Sequence, residues 1–529
     1  MLDPVTQEIL TNALYGIAEE MAMVEYRSSF SPIIREMLDF NCGVFDERGR
    51  MVAHSEQIPA QLGLMQFALQ AALAKWGDEI APGDAIITNH PYMGGTHTPD
   101  LQVFEPAYVD DRLIGWTGSI AHHIDIGGQF PGTESAQTTE LFQEGLIFPA
   151  IKLVERGRRV RAIYDLVAAN VRDPNSTLGD LDAQLAACRR GRERLDALCR
   201  RHGTEPVLQA MDDLLEQTAA RARELFASWP ARRVAVEGFQ DDGGFEGTPP
   251  VRISLAVEVR DGELHVDFAG TSDQVRSGVN VPIASTHAAV YFAVRCFAGH
   301  AGILQNDGLT RVVHLRIPEG SLLNPRFPAA LSARHLAVQR TADLMVEALS
   351  ELLPERAIAA SHVSFPAFVF QAVDPRSGRL TLLADIIGGG GGARRNGQGE
   401  HAIDTYTSNC AILPAEIAEL EYPFLVERSE LVDDSGGSGR QRGGLGIRRD
   451  YRLLADAGDG MYYIEQRDPR FAPSGREGGG SGAPSAVRLR RDGVWQDLPG
   501  KGYLILRRND VVSFVSAGGG GFGRVGSTG

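Results

Sequence analysis

Apolar positions along this chain recur with two periods, and the changeover divides the sequence. Ile9, Leu10, Leu14, Ile17, Met21 and Val24 form one stripe at helical spacing, which predicts a helix over residues 6–23. Asp3 stands where an N-cap acceptor belongs, and Pro4 where a helix tolerates proline. Residues 62–76 repeat the helical pattern. It returns over residues 180–229, where Leu185, Leu195, Leu198, Val207, Met211, Leu214, Leu215 and Leu225 recur. Strand-like stretches lie between these. Residues 40–54 predict a hairpin around Glu47-Arg48-Gly49, and residues 85–88 a strand after the Pro82-Gly83 turn. Val103-Phe104 and Leu113 to Trp116 read as two strands turned at Asp110-Asp111. From about Arg232 strands dominate. Residues 251–259 and 264–268 flank the hairpin signal Asp261-Gly262, residues 380–387 form a further strand, and helices are expected over 285–297 and 337–353. The expected fold class is α+β, in two parts: an N-terminal half of helices and hairpins (1–230) and a strand-rich C-terminal half (231–529).

Composition narrows the classes. The chain has 529 residues with a formal net charge of −16, which argues against bulk binding of nucleic acid or an anionic membrane. No run of about eighteen apolar residues occurs, and the start MLDPVTQEIL has no basic or apolar leader pattern. Five scattered cysteines without a CxxC pair fit reduced thiols, and a cytoplasmic location is expected. The arginine run from Arg189 to Arg201 reads as a solvated helix face or a subunit contact.

Chemistry concentrates between Asn89 and Gly128. His90, His97, Asp100, His122, His123 and Asp125 fall within forty residues, beside the pairs Gly94-Gly95 and Gly127-Gly128. Imidazole and carboxylate together are ligands for zinc, manganese or iron. His97 and Asp100 are three apart and can face one ion, and the hairpin that follows can bring back His122 or His123. Neighbours in an extended chain point to opposite faces, so only one of the two can serve. His123 is the favoured one because it shares a face with Asp125. Asp39 is a possible fourth ligand or a base, and Glu36 a weaker candidate of the same kind. Gly388 to Gly392 follows a strand and is read as either a phosphate cradle or a packing loop. No Walker lysine follows it.

Several stretches resemble one family. RSSFSPIIREMLDFNCGVFD, HPYMGGTHTPD, AHHIDIGG, FQEGLIFP, NVRDPNSTLGDLDAQLAA, DFAGTSDQ and IPEGSLLNPRFPAA are similar to segments of the hydantoinase B / 5-oxoprolinase family. GGGGGARRNGQGE and DDSGGSGRQRGGLGIRR extend the likeness to the C-terminal part, and GILQND resembles a loop between the family's two halves. The chain departs from the family pattern at Gln61, Asn41 and Asn396, where histidine, serine and aspartate are common.

The resemblance implies a catalytic B-type subunit of an ATP-dependent cyclic amidohydrolase, related to acetone carboxylase alpha subunits. An A-type partner chain would bind ATP and phosphorylate the amide, in a heterotetramer. This chain would complete the opening of a hydantoin, 5-oxoproline or other lactam ring. The divalent transition metal would be held by His97, Asp100 and His122 or His123, with Asp39 beside them. Asp125 or Glu144 would orient water or take its proton. The alternative is a subunit of an ATP-dependent acetone- or acetophenone-type carboxylase.

Overall fold

The computed structural model describes residues 2–61, 63–299 and 303–526. The start of the helix expected from Leu62, and Gly302 of the loop GILQND, lie outside the described residues. Helices and strands mix throughout, as expected of an α+β fold.

The first part holds helices α1 (Pro4–Ser28), α2 (Pro32–Arg35), α3 (Met65–Trp76), α4 (Arg161–Asn170), α5 (Pro174–His202) and α6 (Thr204–Ala227). Its strands are β1 (Phe40–Phe45), β2 (Met51–His54), β3 (Ala85–Thr88), β4 (Asp100–Val109), β5 (Arg112–His122), β6 (Ile151–Glu155) and β7 (Arg158–Arg159). They form one sheet in the order β2-β1-β5-β4-β3-β6-β7. Asp3 caps α1 through its side chain, as expected. The helical stretch expected over 180–229 is two helices, broken where Gly203 takes a φ of 90°. The helix α4 is not among the elements expected from the sequence.

Period-two alternation sorts the side chains of this sheet. Leu101 and Val103 of β4 pack with Leu181, Leu185 and Cys188 of α5, while Phe104 packs on the other face with Ala68 and Leu69 of α3. Cys42 and Val44 of β1 meet Leu10, Leu14 and Ile17 of α1. The faces differ in polarity as well as in partners. Glu25 of α1 is fully buried against the sheet, where it accepts from Ser119 Oγ (2.7 Å) and Cys42 Sγ (3.2 Å).

Burial pushes the Glu25 carboxyl up to about 8, against bonds that oppose the shift. The folded state therefore holds a proton that the unfolded state releases near pH 4.5. The stabilisation this proton confers is complete below that pH and is lost as pH rises through about 8. Glu25→Gln keeps the shape without the titration. Its melting temperature relative to the parent chain is expected to rise by several degrees between pH 5 and pH 8. Scanning calorimetry at three pH values checks this, and a pH-independent difference would contradict it.

The second part holds β8 (Arg233–Gln240), β9 (Val251–Arg260), β10 (Glu263–Asp267), β11 (Val313–Arg316), α7 (Ile283–Ala298), α8 (Asp307–Thr310) and α9 (His335–Leu352). The sheet runs β11-β10-β9-β8 and shares a core with α6, α7 and α9. Then follow β12 (Ala367–Val373), β13 (Leu380–Ile386), β14 (Phe424–Leu431), β15 (Ile447–Leu453), β16 (Ala457–Tyr463), β17 (Ala486–Arg491), β18 (Val494–Asp497), β19 (Lys501–Arg507) and β20 (Val511–Val515). They make two sheets, β13-β12-β16-β19 and β14-β15-β20-β17-β18. Phe368 and Phe514 stack between them at 5.0 Å.

The glycine-rich stretches pack on one another. Gly444 N donates to Gly391 O (2.8 Å), Gly519 N to Gly444 O (2.9 Å), Gly437 N to Gly519 O (2.8 Å) and Gly521 N to Gly480 O (2.9 Å). Side chains are excluded because the backbones touch. A Cβ on Gly444 would overlap the Glu400 carbonyl, and one on Gly519 the Gly391 carbonyl. The amides from Gly389 to Gly392 donate to Ile403 O, Ala517 O, Glu400 O and Ser361 Oγ. These four amides are taken within the protein, so over residues 389–392 the packing reading describes the loop.

Candidate metal centre

The register of one hairpin builds the site. β4 and β5 pair antiparallel, with Asp110 and Asp111 turning at positive φ between them, and Asp100 falls directly opposite His122. Cross-strand partners share a face. His97 stands in the turn that leads into β4, where Asp100 N donates to His97 O (3.2 Å). His97 Nε2 and His122 Nδ1 lie 3.2 Å apart, and Asp100 Oδ1 lies 3.0 Å from each. Glu134, on the loop after Gly127-Gly128, approaches His97 Nδ1 at 3.3 Å. His97, His122 and Glu134 offer ligand atoms within 4.8 Å of one another, all buried. Asp100 is not of that triad, but its carboxylate lies nearer His97 than that of Glu134 does and also meets His122.

These atoms fit a metal ion. A tetrahedral ion with bonds of about 2.0–2.1 Å has ligand–ligand edges of about 3.3 Å, close to the edges observed. Ser332 O accepts from His97 Nδ1 at 2.9 Å, which turns the lone pair of Nε2 toward Asp100 and His122. The cluster also attracts positive charge. Burial opposes a charge on His122, but its bond to Asp100 and the nearby Glu134 and Asp39 carboxylates outweigh burial and hold its pKa up at about 9. Asp100 is held well below the usual carboxylate range, its burial outweighed by His97 and Arg334. Arg334 Nη2 meets Asp100 Oδ2 at 2.6 Å, and Thr96 Oγ1 donates to the same oxygen.

The sequence candidates separate by position. His122 joins His97 and Asp100. His123 points through the opposite face to Gln184 of α5, at 3.0 Å, with Nδ1 unpartnered. Asp39 borders the same cavity as His97 and His122. Its carbonyl accepts from His122 N (3.0 Å), and its carboxylate accepts from Gln61 Nε2 (3.1 Å). Asn41 Nδ2 donates in turn to Gln61 Oε1 (2.8 Å), so two of the departures from the family pattern lie in one chain ending on Asp39. Asn396 is exposed in a turn.

Asp125 is buried and occupied by Arg172 (2.8 Å) and the amides of Gly127 and Gly132 (3.1 Å each). Glu144 accepts from Leu331 N and Ser332 N (2.9 Å each) and from Thr138 Oγ1 (2.7 Å), and burial pushes its pKa up to about 7. It thus fixes the segment that carries Ser332 and Arg334. His90 Nδ1 accepts from Tyr92 N (3.2 Å) and caps its own turn. Glu36 pairs with Arg35 (3.1 Å) at the surface.

Four residues around the centre carry no signal in the sequence: Glu134, Arg334, His335 and Tyr463. Tyr463 OH donates to Glu134 Oε2, and the His335 ring lies 4.5 Å from the Tyr463 ring. They come from a loop, the start of α9 and the end of β16, and only folding joins them.

A second cluster, Glu263, His265 and His314, lies on β10 and β11. Arg223 meets Glu263 at 3.3 Å and Arg260 approaches His265 at 3.5 Å, and two guanidiniums beside it oppose a dication.

A cavity opens from the His97–His122 cluster of histidines and carboxylates. Its walls come from α2, β12, β13 and the segments around Ile58 and Ile124, and are largely apolar. This is a buried cluster of histidines and carboxylates bordering a largely apolar cavity. The chain belongs to the hydantoinase B/oxoprolinase family, whose profile matches residues 3–525. An uncharacterised protein of Methanocaldococcus jannaschii is 33% identical over 99% of this chain and 91% of its own length. A provisionally named B-type D-/L-hydantoinase chain of Pseudomonas sp. strain NS671 is 31% identical over 99% and 90%. The 5-oxoprolinase 1 of Arabidopsis thaliana is 30% identical over 98% of this chain, which spans only 42% of that longer protein. Among solved structures, the ATP-dependent caprolactamase of Pseudomonas jessenii superposes with a TM-score of 0.91 at 28% identity, covering 99% of this chain and 92% of that one. Acetone carboxylase shares the fold, with a TM-score of 0.92 at 17% identity over 98% and 76%. Among the described residues, no helix is long and apolar enough to cross a membrane.

Proposed function

We propose that this chain is the metal-bearing, ring-opening subunit of an ATP-dependent cyclic amidohydrolase. It would act in the cytosol with an A-type subunit that binds ATP, as a heterotetramer. The observation that carries the reading is the tight triangle of His97, Asp100 and His122, with Glu134 beside it, at the head of a largely apolar cavity. The overall change is cyclic amide plus two waters plus ATP to open-chain amino acid, ADP and phosphate. His97, Asp100 and His122 would hold a zinc, manganese or iron ion, with Glu134 completing the set. Bound there, such an ion supplies Lewis acidity toward oxygen.

The remaining residues orient and exclude. Ser332 and Arg334 fix His97 and Asp100, and Glu144 fixes the segment that carries both. Asp125 ties the loop leading to Glu134 onto Arg172. We assign Glu144 and Asp125 positioning roles on that basis. Asp39 borders the cavity and is our choice for the group that meets the ring nitrogen. We keep the division near residue 230 as a proposal, with 231–529 supplying Ser332, Arg334 and Tyr463 to the metal-bearing half.

The test is ATP-dependent ring opening by this chain with its A-type partner in bicarbonate-free buffer, scored on ADP and amino acid together. Equal yields of both are expected. Turnover that appears only with bicarbonate and a ketone would replace this reading with the carboxylase one, and no turnover of any cyclic amide would overturn it. Removing the anchor should weaken the site without emptying it. Glu144→Ala is expected to lower metal affinity about 10- to 100-fold, as titration with a competing chelator would read. An unchanged affinity would contradict the positioning role.

A further inference from the structure

We propose that the cleft between the second half of α9 and the glycine-rich stack binds a small zwitterion, with an ammonium and a carboxylate joined by a short carbon chain. The cleft has a volume of about 560 Å³, within the size range of small-molecule sites. It lies apart from the histidine cluster, because Glu347 stands about 18 Å along α9 from the start of that helix at His335. Its walls come from rigid elements. Glu347 and Glu351 are one turn apart on α9 and share a face. Arg476 comes from the stack, where its N–H donates to Gly521 O (2.8 Å) and its carbonyl accepts from Gly523 N (2.9 Å). Ala360 N joins the segment after α9 to Ser474 O (3.1 Å), and both residues line the cleft.

The lining carries charges of both signs that the protein leaves unmatched. Asp343 is committed to Arg340 (2.6 Å) and to Tyr406 OH (2.7 Å), and Glu477 to Arg395. The Glu347 and Glu351 carboxylates form no ion pair among the described residues, and neither does Arg476. Arg232 reaches only the Glu351 carbonyl. Burial, and then the Asp343 and Glu351 carboxylates, push the Glu347 carboxyl up to about 7, with Arg340 and Arg476 pulling against them. Arg476 therefore acts on Glu347 without contacting it. The lining also includes Val346, Ala357, Ile358 and Ala359, which offer a carbon chain apolar contact. A ligand ammonium can pair with Glu347 and Glu351, and a ligand carboxylate with Arg476 and Arg232. A ligand of one charge answers only one of these pairs. The open-chain amino acid that the proposed reaction releases is of this class, but binding in the cleft does not depend on that reading.

5-Aminopentanoate, pentanoate and pentylamine test this directly, because they share a five-carbon chain and differ in the charges they carry. Each is titrated into the full chain by calorimetry. 5-Aminopentanoate is expected to bind at least tenfold more tightly than either of the others. Glu347→Gln should weaken its binding tenfold or more and leave that of pentanoate unchanged, whereas Arg476→Gln should weaken both. Both positions are partly exposed, so the variants are expected to keep the parental melting temperature. Binding of 5-aminopentanoate no tighter than that of the singly charged probes overturns the inference. So does tight binding that neither substitution weakens, which would place the ligand elsewhere on the chain. The readout needs no turnover. Its failure leaves ring opening standing, and a failure to open any cyclic amide leaves the cleft standing.

Discussion

His122→Ala is expected to strip the chain of its metal, while its neighbour His123→Ala retains it. Purified chain should carry about one equivalent, falling below about a tenth in the His122 variant after dialysis, as elemental analysis would show. The two residues are adjacent in sequence and chemically identical, so only geometry separates them. His122 is paired in register with Asp100 and meets His97 at 3.2 Å. His123 faces α5, where Gln184 takes its Nε2. The His122 variant should stay folded, because Asp100 keeps its ion pair with Arg334 and its bond from Thr96. The His123 variant leaves a buried Gln184 oxygen unpaired and should cost about 1–3 kcal/mol of stability instead. Metal loss on substitution of His123, with retention on substitution of His122, would refute the assignment.

Gly444→Ala and Gly519→Ala are expected to abolish folding of the C-terminal layer. Each glycine lies against another glycine-rich segment, with backbone rather than a flexible side chain as the obstacle. An added methyl cannot be relieved by a rotamer change, so the strands of the stack must separate. Overpacking a tight core costs about 1–3 kcal/mol and more where nothing yields. Here parting the segments also breaks the bonds Gly444 N to Gly391 O and Gly519 N to Gly444 O. Insoluble expression, or a melting temperature lowered by more than about 10 °C, is the expected outcome. Gly77→Ala is the control: its Cβ would meet open space, and its strain is limited to its own φ of 48°. Near-parental stability of Gly444→Ala would show that the stack can part at little cost.

Local and distant contacts differ in how far they were legible in the sequence. The capping of α1 by Asp3 and the β4–β5 hairpin at Asp110-Asp111 are local events, written in periodicity and turn chemistry over a few residues. The gathering of His97, Asp100 and a returning histidine followed from the same hairpin. Parity alone could not choose between His122 and His123, because an extended chain gives alternation but not which face is which. That choice needed α5 packed on one face, through Leu101 and Val103, to leave His122 on the other face with His97 and Asp100.

Composition, helical stripes, hairpins and the candidate donors were determined by the sequence itself, since each depends on residues within one or two turns of one another. Glu134, Arg334, His335 and Tyr463 were decided by the tertiary structure, because residues as far apart as Glu134 and Tyr463, 329 positions along the chain, meet only when the sheets close. The glycine-rich runs belong to the same class. A run of glycines permits either a phosphate cradle or close backbone packing, and only the neighbours that take its amides decide between them.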